Sequence, residues 1–180
     1  MSANYAIERI VPLEGETRRM AEQRTVSEMA RRIFGNDATI AHTRHGAPYI
    51  AGRTTFVSVS HSLHFAALAW SDTNLVGIDI EEMRLNQLSR VANKFLNSSE
   101  TNIYSGERLI EAWTLKEAAF KASENASPDL RLYRLPLDGE RRDIIRTPSD
   151  TLHILFSGPV ADAEAWLSIV EGRPRLAHPV

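Results

Sequence analysis

The chain has no cysteine among its 180 residues. That excludes disulfides, thiolate metal sites and a cysteine nucleophile, and it fits a reducing compartment. Its 8 prolines and 9 glycines are too few for a flexible interdomain linker. No apolar run reaches membrane-spanning length. The opening "MSANYAIERI" lacks a basic segment followed by an apolar core, so no signal peptide is expected and the cytoplasm is the expected location. An excess of one charge is missing as well. A formal net charge of −2 and a pI near 6.3 argue against nucleic acid as a partner, as the missing apolar run does against a membrane. What remains is a chain able to bury roughly 70% of its unfolded surface without staples, expected as one domain over residues 1–180.

The pattern along the chain alternates between helical and extended. "ETRRMAEQRTVSEMARRIF", 16 to 34, places Met20, Val26, Met29, Ala30 and Ile33 on a loose helical stripe, and Gly35 with Asn36 supplies a stop. "ATIAHT", 38 to 43, reads as a short strand and "RHGAPYIAGR", 44 to 53, as a loop. "TFVSVSHS" and "FAALAWS" read as two strands around a tight connection at Leu63 and His64, with "LVGIDIE" as the next. From Asn86 to about Asn125 the spacing turns helical, and "NSSE", 97 to 100, reads as the start of a further helical turn. Beyond Pro128, "LRLYRLPL", "RDIIRT", "TLHILFSG" and "AEAWLSIVEG" are strand-like, with a turn at "LDGE". The outline is an α+β fold of two similar lobes, about 1–74 and 75–180, packed into one unit.

Two stretches carry the chemistry. In "LVGIDIEEM", 75 to 83, alternate side chains share a face, so Asp79 and Glu81 stand side by side next to Gly77. This is either the solvated face of a half-buried strand or a pair of hard oxygen ligands for a divalent cation. In "ERLIEAWTLKEAAFKAS", 107 to 123, nearly every direction around the helix is apolar, yet Glu117 and Lys121 interrupt it one turn apart. They are either a surface ion pair or charged groups of a buried site. If Glu117 approaches Asp79 and Glu81, like charges 6–7 Å apart repel by about 2–3 kcal/mol at an effective dielectric of 20. Such a cluster needs a cation or shared protons. Carboxylate oxygens without sulfur suit Mg²⁺, which commonly shares its shell with substrate phosphates, and Lys121 would be a point charge for a phosphate oxygen. "SVSHS" offers Ser60 and His61 as a structural pair or as anion-binding groups, and His61 with His64 forms H-x-x-H. "RHGAP" is a plain turn or a seat for a flat ligand.

Taken together these residues resemble the 4′-phosphopantetheinyl transferases of the monomeric, two-lobed kind. "VGIDIE" (76 to 81) and "WTLKEAAFKA" (113 to 122) are similar to the family's two acidic elements. "SHS" (60 to 62), "GAPYI" (46 to 50) and "KFLNSSE" (94 to 100) match lesser ones in order. The resemblance implies transfer of 4′-phosphopantetheine from coenzyme A to a serine of an apo acyl or peptidyl carrier protein, releasing adenosine 3′,5′-bisphosphate. It implies Mg²⁺ held by Asp79, Glu81 and Glu117. Glu117 would accept the serine proton and Lys121 would stabilise the leaving phosphate. It further implies that Ser60, His61 and Arg24 contact the phosphates of coenzyme A, with Gly46, Ala47 and Pro48 flanking the adenine. The carrier would dock near residues 88 to 105, where Arg90 and Lys94 carry suitable charge.

Three departures bear on the coenzyme A site. Ala47 stands where the family usually has Lys or Arg, Leu63 replaces a common Gly, and "KASENAS" lacks the glycines found after the family's Lys. Arg44, His45 or Arg53 would be the substitutes for the missing cation at Ala47. Two other readings keep the same residues: a non-catalytic carrier- or nucleotide-binding relative, and a metal-dependent nucleotide hydrolase.

Overall fold

Val and Ser alternate in "FVSVSH" and alanines alternate with or flank large apolar residues in "FAALAWS", and both form strands that pair antiparallel across the turn at Leu63 and His64. A computed structural model describes residues 3–82, 85–124, 126–162 and 164–174. Met1, Ser2, Met83, Asn125 and Ala163, which belong to stretches read above, lie outside the described residues. In chain order the elements are β1 (Asn4–Arg9), α1 (Arg18–Phe34), β2 (Ile40–His42), β3 (Pro48–Ile50), β4 (Phe56–His61), β5 (Phe65–Ser71), β6 (Leu75–Glu82), α2 (Leu85–Phe95), α3 (Arg108–Lys121), a 3₁₀ turn (Leu130–Leu132), β7 (Ile144–Arg146), β8 (Thr151–Val160) and β9 (Ala165–Gly172).

The fold is α+β, with two antiparallel sheets ordered β1-β5-β4-β3-β2 and β6-β9-β8-β7. Both sheets follow one plan. An opening strand leads into helix, and a meander returns so that its last strand pairs against the opening one: β1 with β5, and β6 with β9. Four layers result. α1 covers one face of the first sheet through Ala21, Met29 and Ala30 against Ile50, Val57, Ala66 and Leu68. The other face meets the second sheet, where Ala67 and Ala69 of β5 pack on Ile78, Ile80, Leu167 and Ile169. The far face of the second sheet is covered by α3 and α2.

Several elements differ from the sequence reading. β1 was not legible as a strand, and its pairing along β5 comes from tertiary context. The "RHGAPYIAGR" loop contains β3, which pairs with β2 across a Gly46 turn at φ +85°. "LRLYRLPL" is not a strand. Its first three residues form the 3₁₀ turn, capped by the Asp129 side chain accepting from Arg131 N–H, and Arg134 alone bridges to Arg146. "NSSE" forms a turn and no further helix. The Asn97 side chain accepts from the Ser99 and Glu100 amides, and the Glu100 carbonyl accepts from Ile103 and Tyr104.

The placement of α3 decides where the charged residues go. Ala118, Ala119 and Ala122 are fully buried and let its backbone lie directly on β6. Gly77 is the counterpart. A Cβ there would stand 1.8 Å from the Ala118 carbonyl oxygen and 2.8 Å from the Ala122 nitrogen. Gly172, on the neighbouring strand, likewise lies under the Ala122 carbonyl. Backbone rather than a flexible side chain blocks the space at Gly77, so nothing local can yield. Gly77→Ala is expected to destabilise the chain by at least about 3 kcal/mol in urea unfolding. A loss under about 1 kcal/mol would contradict this packing.

Candidate functional site

β6 is an edge strand, and its outer N–H and C=O groups require partners. Side chains supply them. Ser58 Oγ accepts from Ile78 N–H at 3.1 Å and Ser60 Oγ from Ile80 N–H at 3.3 Å. The Lys121 ammonium donates to the Ile78 carbonyl at 2.9 Å. The alternation of β4 makes this possible, because Ser58 and Ser60 face β6 while Val57 and Val59 face α1.

The same side chains converge on Asp79, which is only 4% exposed. Its Oδ1 accepts from Ser60 Oγ at 2.8 Å and from Lys121 Nζ at 2.8 Å. Its Oδ2 is buried without a hydrogen-bond partner. A buried carboxylate oxygen in that state carries the full cost of desolvation, so it is an open valence on a residue that lines the site. Around it lies a cavity of about 310 Å³ lined by Ser60, His61, Asp79, Glu81, Glu117 and Lys121, with Trp113 as a wall. Trp113 Nε1 donates to Glu81 Oε1 at 3.3 Å. Burial and the nearby Asp79 charge push the Glu117 carboxyl above its usual range, and Lys121 offsets part of that rise. Burial is the larger cause.

The strand pair Asp79/Glu81 and the helix pair Glu117/Lys121 therefore share one cavity, together with Ser60 and His61. Among the described residues no group of three or more His, Asp or Glu side chains is arranged to hold a metal ion. Lys121 occupies one oxygen of Asp79, and Trp113 holds Glu81. The donor set nonetheless fits a hard divalent cation: every candidate ligand is a carboxylate oxygen, and Asp79 Oδ2 is buried and unpartnered.

The nucleotide-side expectations fare differently. A second cavity of about 770 Å³ adjoins the first through Val59 and His61 and is lined by Arg19, Glu22, Val26 and His42. Arg24 points elsewhere. Its guanidinium donates to Glu16 at 3.0 Å and to the Val11 carbonyl at 2.8 Å, fastening the β1–α1 loop. Arg19 takes its place at the cavity. It shares a helix face with Glu22 and Val26 at spacings of three and seven, a relation available from α1's own periodicity. Gly46, Ala47 and Pro48 form the β2–β3 turn beside His42, with Pro48 opposite His42 in the ladder. His61 Nδ1 lies 3.7 Å from Glu22, whose carboxylate is also bound by Arg18 at 2.7 Å.

Sequence reading also missed Lys116, the residue before Glu117. Lys116 and Glu100 are both fully buried and form an ion pair at 2.8 Å. The ammonium also donates to the carbonyls of Tyr133 at 2.7 Å and Leu130 at 3.2 Å. Glu100 accepts from the amides of Leu135 at 2.8 Å and Asn97 at 3.0 Å. A lysine on an otherwise apolar helix was the available signal, but its partner lies in a distant turn. Burial pulls the Lys116 ammonium below the usual lysine range, and Glu100 opposes that shift. Breaking a buried pair strands the other charge. Glu100→Ala should cost about 3–5 kcal/mol in urea unfolding, and Lys116→Met with Glu100→Leu should recover most of that loss. A single variant as stable as the native chain would contradict the pair.

A family model described as the 4′-phosphopantetheinyl transferase superfamily matches residues 75–170, just over half of the chain. No curated protein matches it. The matched span begins at β6 and ends in β9, so it contains Asp79, Glu81, Glu117 and Lys121.

Proposed function

The chain belongs to the 4′-phosphopantetheinyl transferase superfamily, and from that membership we propose that it moves 4′-phosphopantetheine from coenzyme A to a serine of an apo acyl or peptidyl carrier protein, releasing adenosine 3′,5′-bisphosphate. The observation that carries this reading is the cavity where a partly buried carboxyl, an ammonium and two further carboxylates meet beside a larger cleft that carries Arg19, Glu22, His42 and His61.

Phosphoryl transfer depends on positioning and charge neutralisation more than on covalent chemistry by the protein. Asp79, Glu81 and Glu117 would hold Mg²⁺, which would neutralise charge on the pyrophosphate when bound. Everything else falls to the chain. Glu117, which lines the cavity beside Lys121, accepts the proton of the carrier serine. The serine oxygen bonds to the β-phosphorus as the bond to the bridging oxygen breaks. The Lys121 ammonium has three N–H groups and commits two, to Ile78 and Asp79, leaving one for an oxygen of the departing phosphate. Ser60 and His61 face the phosphates from β4. Arg19 and His42, in place of Arg24, supply the basic surface for the nucleotide phosphate. Because both sheets of one chain build the cavity, a monomer suffices as the working unit. Among the described residues no helix is long and apolar enough to cross a membrane.

Intact-mass measurement of several apo carrier proteins after incubation with the chain, coenzyme A and Mg²⁺ tests the reading. One phosphopantetheine added per carrier is the expected result. Asp79→Asn should keep the shape of the site yet lower the transfer rate by at least about 100-fold. Nucleotide release without any change in carrier mass would favour hydrolysis instead, and a fully active Asp79→Asn chain would contradict the site assignment.

A further inference from the structure

The buried pair of Lys116 and Glu100 lies outside the lining of the carboxylate cavity, yet it anchors two walls of a separate groove. Its ammonium binds the carbonyls of Leu130 and Tyr133, which bracket residues 131 and 132. Its carboxylate accepts from the amides of Leu135 and Asn97. The turn that begins at Asn97 forms one side of the groove, and residues 131 to 134 form the other, with the end of β7 beside them. The space between is about 510 Å³. It lies on the β7 side of the second sheet, whereas Asp79 and Glu81 stand on β6 at the opposite edge.

The walls are cationic. Arg131, Arg134 and Arg146 all line the groove, and among the described residues that line it none is acidic. Arg134 and Arg146 exchange both backbone hydrogen bonds, at 2.8 and 3.0 Å, so they stand directly opposite one another. Such partners have Cα atoms about 5.5 Å apart and side chains on one face. Like charges placed in that way destabilise a ladder unless something neutralises them. The chain supplies part of the balance. Asp129 grips Arg131 with two bonds of 2.8 Å, and Glu140 accepts from Arg146 at 3.1 Å. The same Glu140 oxygen serves the Leu137 amide at 3.1 Å, and Arg134 reaches Glu140 through charge alone. Asn97 adds a neutral donor. Its oxygen accepts from the amides of Ser99 and Glu100 and from the Ser99 hydroxyl, which leaves its NH₂ group as the end available to a ligand.

We propose that this groove is a second anion site, for a small ligand carrying a dianionic phosphate group. Neighbouring guanidiniums offer forks of N–H groups that match phosphate oxygens, and a dianion between Arg134 and Arg146 removes the repulsion built into their pairing. Because both walls are tied to one buried ion pair, little ordering is left to be done when the anion enters. An acidic helix suits the recess less well, since its carboxylates are single charges spread about 5.4 Å per turn along a ridge. The volume falls within the roughly 300–1,000 Å³ of small-ligand sites. Leu132, 41% exposed, and Pro148 give an apolar rim against which the organic part of a phosphate ester can lie. The site stands apart from the transferase reading and does not depend on it.

Titration of the full ¹⁵N-labelled chain, in chelator and at constant ionic strength, tests the site. The probes are inorganic phosphate, pyrophosphate and adenosine 5′-monophosphate. The amide signals of Ser98, Ser99 and Thr147 should move along saturable curves, with half-saturation below about 1 mM for the tightest probe. Arg134→Gln should weaken that binding at least about tenfold, as expected for the loss of a charge-assisted contact. Arg19→Gln, in the cleft beneath α1, should leave it within about twofold. Arg134 is exposed, so unchanged signals elsewhere in the spectrum will show that its variant is folded, and the native titration needs no variant. Tighter binding of adenosine 5′-monophosphate than of phosphate assigns the groove to a phosphate ester, and equal binding assigns it to the free anion. Shifts that stay linear to about 10 mM would overturn the site, as would a titration that Arg134→Gln leaves unaltered. If an apo carrier protein moved these signals and none of the three anions did, the groove would belong to an acidic protein surface and the proposal would fall.

Discussion

The Asp79 carboxylate is the junction on which the site depends. Ser60 reaches it from β4 of the first sheet, Lys121 reaches it from α3, and Asp79 itself sits on β6 of the second. Both bonds fall on one oxygen and leave the other buried and bare. A buried carboxylate is tolerated only when paired or bonded, and one bare oxygen on a residue that shares a cavity with two more carboxylates is an incomplete balance of charge. The incompleteness is what a cation and a pyrophosphate would together resolve.

Backbone packing sets the position of that junction. α3 lies against β6 at the one place where the strand has no Cβ, Gly77, two residues before Asp79. The rotation of the helix is set from its other side by Lys116, whose ammonium is bound to Glu100 and two carbonyls. Successive residues on a helix point about 100° apart. With Lys116 drawn into the core, Glu117 is turned toward the cavity, and Lys121, four residues on, follows it. One helix thus carries a structural ion pair on one side and the cavity-lining Glu117 and Lys121 on the next.

Much of this was legible in the sequence. The two-residue period of "LVGIDIE" put Asp79 and Glu81 on one face, and the apolar surround of α3 marked Glu117 and Lys121 as unusual, because both inferences need only local periodicity. What was not legible depends on distant partners. Lys116 and Glu100 are sixteen residues apart and meet only once the 97–104 turn folds against α3. The resemblance implied Arg24 at the phosphates, but the β1–α1 loop captures Arg24 through Glu16, and Arg19 lies at the cleft instead. The strand-like "LRLYRLPL" turned instead into a 3₁₀ turn, because the carbonyls of Leu130 and Tyr133 serve the buried ammonium. β1 shows no inward-facing alternation, since an edge strand can be half exposed on both faces.

The central claim is that Asp79, Glu81 and Glu117 form a single cation-dependent centre whose carboxylates repel one another when empty. Burial and the Asp79 charge raise the Glu117 carboxyl, so the folded chain holds a proton there that the unfolded chain has released. Stability is then lost as pH rises through the ordinary carboxylate range and is not regained at neutrality. The most direct measurement is the melting temperature at pH 7 of the native chain and of Glu117→Gln, first in chelator and then with saturating Mg²⁺ and coenzyme A. In chelator the variant should melt higher, because it lacks the disfavoured charge. With Mg²⁺ and coenzyme A the native chain should gain more than the variant, and the gap should close or reverse. Equal melting in chelator, together with an equal gain on adding Mg²⁺ and coenzyme A, would contradict the claim.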